Sequence, residues 1–247
     1  MAQSVSYNYA AGPSSADFGY STSRETPGAQ EEDLFLYNMK NVSLKKGERA
    51  YYTVFSAEVP FEHIYKWTVL DTSGVQPNGS INSNRNSAED QVRHILRLTN
   101  NSKYPWTTAP GMAMSKGQPL AQDKLSYTPK GGEGDLKLTV ATDIRVTKRE
   151  SEKTRQNEAV RINGSSFTKV TSEGKLVLKN FKSTAVTVQV TKTIIGEVIS
   201  TSGDGNIQKA GVAIRAANPT SIVTWKVPLK PGEEKTLDYS YFTFVRY

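Results

Sequence analysis

Two stretches decide how this chain reads: Val42-Ser-Leu-Lys-Lys-Gly-Glu-Arg-Ala-Tyr-Tyr-Thr-Val-Phe55 and Val227-Pro-Leu-Lys-Pro-Gly-Glu-Glu-Lys-Thr-Leu-Asp-Tyr-Ser-Tyr-Phe242. Each carries Leu-Lys-x-Gly-Glu followed by a run rich in tyrosine and β-branched residues. Glycine supplies the backbone freedom of a tight turn, and the flanking runs suit a pleated surface. Both copies therefore predict strand, turn, strand, one opening and one closing the β-rich region.

Outward from these copies the period of two continues. Phe61, His63, Tyr65, Trp67 and Val69 fall on one parity, with Glu62, Lys66 and Thr68 on the other. Val92, His94, Leu96 and Leu98 repeat the pattern, as do Leu136, Leu138 and Val140, and then Val186, Val188 and Val190. Such alternation marks half-buried strands. The charged run from Asp143 to Val160 reads as an extended strand, because Ile144 and Val146 continue the alternation. Short strands joined by turns predict an all-β chain of two β-sandwich-like units, the C-terminal one immunoglobulin-like. The expected organisation is a flexible leader over 1–31, a β-rich unit over 32–160 and the immunoglobulin-like sandwich over 161–247. One copy of the phrase opens the region and the other closes it, which predicts that two units share the chain, and shared strands between them are compatible with this reading.

Composition narrows the function classes. The chain has 247 residues, a length that suits one large core or two smaller ones. Mean hydropathy is -0.52, and no apolar run approaches the roughly 18 residues of a membrane span. No signal peptide is visible. There are no cysteines, so disulfides, thiolate metal sites and a cysteine nucleophile are excluded. The net charge is +7. Between Asp143 and Arg161, however, the basic residues are interleaved with acids, which reads as a self-paired surface rather than a phosphate track. Nucleic acid is not expected as a partner.

Asp33-Leu-Phe-Leu-Tyr37 with Leu-Lys-Lys-Gly-Glu-Arg-Ala50 resembles the opening of a β-rich domain of unknown function in bacterial mucoidy-inhibitor-A-like proteins. Leu98-Thr-Asn-Asn-Ser102, Pro105-Trp-Thr-Thr-Ala-Pro110, Gln122-Asp-Lys-Leu-Ser-Tyr-Thr-Pro-Lys-Gly131, Leu138-Thr-Val-Ala-Thr-Asp-Ile-Arg145, Lys179-Asn180 and Val227-Pro-Leu-Lys-Pro-Gly-Glu-Glu234 continue the series. The resemblance covers roughly residues 32–247. It implies a β-rich fold, little chemistry, and a periplasmic, outer-surface or secreted location.

Candidate sites are few. His63 and His94, the only histidines, read as a metal pair or an acid/base group, with Asp71, Asp90 or Asp123 as a possible third ligand. The favoured reading is two half-buried core histidines bonded to backbone. No Gly-x-Ser-x-Gly elbow occurs, and Gly131-Gly132-Glu-Gly134 lies between strands, where a phosphate cradle needs a helix. No catalytic residue, metal or cofactor is expected, and a hydrolase of unknown substrate is a third-ranked alternative. Tyr104, Trp106 and Thr107 form a loop able to stack on a sugar or a peptide. Trp67 and Trp225 are expected in the core. The last run places large groups on both faces, so Tyr239, Tyr241, Phe242 and Phe244 are expected at an interface. The leading expectation is a non-catalytic structural or assembly protein that associates with itself or an envelope protein. A glycan- or peptide-binding module is the alternative.

Overall fold

The computed structural model describes residues 29–31, 34–36, 42–82, 90–210 and 216–246. The chain divides into two compact units, Met1–Ser56 and Ala57–Tyr247. In the first, β1 (Ala29–Glu31) and β2 (Leu34–Leu36) pair antiparallel. The last three residues of the expected leader thus belong to a strand, and its tyrosines lie outside the described residues.

The first Leu-Lys-x-Gly-Glu copy forms its turn but not its strands. The Glu48 amide donates to the Lys45 carbonyl at 3.0 Å, and the Lys45 amide donates to Glu48 Oε2 at 3.0 Å. Gly47 has φ +89°, as a type II turn requires. No strand flanks this turn between Val42 and Pro60. Val42, Leu44, Tyr51, Tyr52 and Val54 are all exposed. A lone two-stranded hairpin with no apolar face to bury is marginal in water, which accounts for the correction.

The second unit is all-β. Its strands are β3 (Phe61–Val69), β4 (Val92–Thr99), β5 (Ala109–Ser115), β6 (Gln118–Leu125), β7 (Glu133–Val140), β8 (Ile144–Ile162) and β9 (Ser165–Asn180). They continue with β10 (Val186–Ile195), β11 (Glu197–Thr201), β12 (Asn206–Ala210), β13 (Thr220–Leu229) and β14 (Glu234–Val245). Position 160 lies inside β8, which pairs with β9 on both sides of it. Among the described residues no helix is long and apolar enough to cross a membrane.

The sheet orders are β12-β13-β10-β3-β4-β7, β11-β14-β9-β8 and the pair β5-β6. All pairings are antiparallel except β10 with β3. The second Leu-Lys-x-Gly-Glu copy is therefore not a hairpin. Its turn carries the chain from β13 in one sheet to β14 in another, because Val223, Trp225, Val227 and Leu229 face Leu237, Tyr239 and Tyr241 across the core they share with Trp67, Leu176 and Val190.

The topology contains an internal repeat. β3 pairs β4, β4 pairs β7, and β5 pairs β6 between them; β8 pairs β9, β9 pairs β14, and β10 pairs β13 between them. Each repeat is braced by one fully buried asparagine at the end of its second strand. Asn180 Nδ2 donates to the carbonyls of Thr184 (2.9 Å), Leu229 (3.3 Å) and Lys230 (3.1 Å), and its Oδ1 accepts the Lys182 amide. Asn100 Nδ2 donates to Tyr104 (2.9 Å), Thr128 (3.1 Å) and Pro129 (3.3 Å), and its Oδ1 accepts the Ser102 amide. The backbones match as well: Gly232 and Gly131 donate to the carbonyls of Asn180 and Asn100. Two sandwich-like halves thus share one continuous six-stranded sheet.

Candidate functional site

The two histidines meet. Tyr65 lies opposite His94 and His63 opposite Leu96, so His63 and His94 are diagonal neighbours on one face of the β3–β4 pair. His63 Nδ1 and His94 Nε2 are 2.8 Å apart, one N–H of the pair donating to the other ring. Tyr65 stacks on His94 with centroids 4.7 Å apart, and Phe61 meets His63 edge-on at 5.6 Å. His63 is exposed and His94 half-buried. Burial, the His63 ring and the Lys182 ammonium, in that order, hold the His94 pKa below its ordinary value, so it is neutral at pH 7. The expectation of backbone-bonded core histidines is corrected: Trp67 and Val69, further along β3 on the same face, are the residues the core covers.

The pair borders a groove of about 730 Å³ where β3 and β10 begin. Thr184, Thr187, Gln189 and Lys226 contribute to its lining. Asp71, Asp90 and Asp123 do not join the histidines: among the described residues no group of three or more His, Cys, Asp or Glu side chains converges. Asp71 instead caps backbone, accepting the amides of Ser73 and Ile195. Asp123 accepts the Lys137 amide, which lowers its pKa.

Tyr104, Trp106 and Thr107 are half-buried in the loop that Asn100 braces. The Trp106 indole N–H donates to Ser102 Oγ at 3.3 Å, and the Trp106 backbone bridges Thr128. Tyr239 and Tyr241 are each only 3% exposed and belong to the core, which corrects their expected place at an interface. Phe242 and Phe244 lie on the opposite face of β14, half-buried, edge to face at 5.5 Å, with the Lys169 ammonium 4.0 Å from the Phe242 ring.

A buried polar centre escaped the sequence reading. Lys192, 1% exposed, places Nζ 3.0 Å from Glu150 Oε1, and the Tyr239 hydroxyl donates to the same oxygen at 2.6 Å. Lys192 also donates to the Leu70 carbonyl at 3.3 Å. The centre ties β8 and β14 of one sheet to β10 of the other. Gly174 permits it, since it stands between Glu150 and Tyr239 in register and a Cβ there would lie 2.1 Å from Tyr239 Cζ. Burial, then the Glu150 charge, raises the Tyr239 pKa, so it remains a proton donor. The signals were a glycine inside a strand pattern and a lysine at the next inward position after Val186, Val188 and Val190.

The features define an all-β, sandwich-like protein with an open histidine pair and a closed ionic centre. No family model, curated protein or solved structure matches the chain.

Proposed function

We propose that this chain is a non-catalytic structural or assembly module, its C-terminal half immunoglobulin-like, that works by self-association in the bacterial envelope or extracellular space. The location follows the family resemblance. The observation that supports association is the free edge of β5. In the second repeat both edges of the β10–β13 pair are taken, by β3 and β12. In the first, the equivalent β5–β6 pair has no further strand among the described residues. β5 carries no charged side chain, and Met112, Met114 and neighbouring Leu120 are all more than half exposed.

Open edges without charge invite strand addition. The contrast with β8 is instructive. That edge strand is densely charged and broken by two register shifts, whereas β5 carries no charge and only Pro110 and one shift, between Ala113 and Met114. A second copy is the occupant this reading commits to. The chain offers a complementary edge in β12, whose five residues are all exposed and which, among the described residues, pairs only with β13. Edge β5 against edge β12 of the next copy is a head-to-tail contact, which builds rings or open filaments according to the rotation between copies.

Light scattering of the full chain over a range of concentrations tests it. Oligomers are expected, with association at least tenfold weaker in Met112→Lys/Met114→Lys. A chain that stays monomeric, oligomers indifferent to the substitution, or association only with a different protein would contradict the reading.

A further inference from the structure

We infer that His63 and His94 form a two-nitrogen site for copper(II). The chain has two histidines and no cysteine, so its only two strong nitrogen or sulfur side-chain ligands for a transition metal are these. They are 31 residues apart in sequence, and the fold brings their nitrogens to 2.8 Å. Two ligand nitrogens about 2.0 Å from one ion and at right angles stand about 2.8 Å apart. The hydrogen bond sets that distance in the free pair; turning the two rings so that both lone pairs meet one ion keeps the nitrogens near the spacing of adjacent equatorial positions in a tetragonal complex, the geometry copper(II) prefers. A tetrahedral ion needs the nitrogens about 3.3 Å apart at the same bond lengths, so zinc would have to part the rings.

Binding takes the place of the shared hydrogen bond: when the pair is neutral, the donor ring changes tautomer, its proton moves to the ring's other nitrogen, and no net proton is released. Both rings sit on paired, antiparallel strands, and His94 is held by its stack on Tyr65. The exposed side of His63 gives a path from solvent. No third acidic or imidazole ligand joins among the described residues, so water completes the coordination. The opposing charges are Lys182, whose ammonium lies 5.7 Å from the Tyr65 ring, and Lys226 across the groove. Glu62 also lines the groove and partly offsets them. This inference stands independently of self-association.

The test is titration of the full chain with copper(II) chloride at neutral pH, followed by electron paramagnetic resonance and calorimetry. One equivalent should bind with a two-nitrogen signature, and more tightly than nickel(II) or zinc(II). His63→Ala and His94→Ala should each weaken binding at least tenfold, with unchanged circular dichroism; His63 is exposed, so its loss leaves the fold intact. Lys182→Ala should tighten binding. Absence of binding, zinc binding more tightly than copper, or copper binding unchanged in both histidine variants would overturn the inference.

Discussion

The two repeats share a skeleton and differ in what surrounds it. Asn100 and Asn180 make the same carbonyl contacts, at matching positions, to a turn whose glycine has positive φ (+77° at Gly131 and +74° at Gly232). Yet the second repeat closes a core containing Trp67, Leu176, Val190 and Trp225, while the first leaves its β5–β6 hairpin open along an edge. An asparagine brace therefore fixes chain path within a repeat and leaves open whether that repeat is completed. Completion depends on strands contributed from elsewhere, as β3 and β12 are to β10 and β13.

The Lys-x-Gly-Glu turns extend the comparison. Lys230–Glu233 makes the same two hydrogen bonds as Lys45–Glu48: the Glu233 amide donates to the Lys230 carbonyl at 3.1 Å and the Lys230 amide donates to Glu233 Oε2 at 2.6 Å. One turn joins two sheets beneath a buried asparagine. The other lies in a segment without strands. Turn formation is a local property of four residues, whereas strand formation needs a partner surface.

The largest effect is expected where the closed repeat is tied layer to layer. Glu150→Leu leaves Lys192 buried without its carboxylate and should cost about 3 kcal/mol, read by chemical denaturation. Glu150→Leu/Lys192→Met should recover most of that, since no charge is then stranded. A double variant no better than the single would show that packing, not charge, carries the loss.

Next come the two braces. Asn180→Ala should cost about 3 kcal/mol, because three carbonyls lose their donor beside the main core. Asn100→Ala should cost about 2 kcal/mol, since the half-buried loop it braces admits water to the freed carbonyls. Equal losses would erase the distinction between closed and open repeats. The smallest effect separates the turns. Gly232→Ala should cost about 1 kcal/mol for a side chain at positive φ. Gly47→Ala should change global stability by less than about 0.5 kcal/mol, because among the described residues no strand flanks that turn and a Cβ there meets nothing within 4 Å.

Much of the architecture was legible in the sequence. The alternation through β3, β4, β7 and β10 marked strands, and Ile144 and Val146 identified β8 despite its charge. Sheet membership was not legible, because a strand–turn–strand phrase reads alike whether its arms pair or diverge. The flanking run in the first copy looked like strand by composition, but Tyr51, Tyr52 and Val54 find no surface to bury against. At the site, parity placed His63 and His94 on inward faces without saying where the covering layer ends. Their diagonal contact is a matter of register between β3 and β4, which periodicity within one strand does not encode. The Lys192 centre required knowing that Gly174 lies between Glu150 and Tyr239, again a register fact.

Hydrogen exchange across a concentration series tests the central claim, that the open repeat is completed by another copy. Where the chain associates, the β5 amides that do not bond to β6 should gain protection, together with the outward amides of β12, while β10 and β13 amides remain unchanged. Exchange of the β5 amides at one rate at every concentration would contradict it.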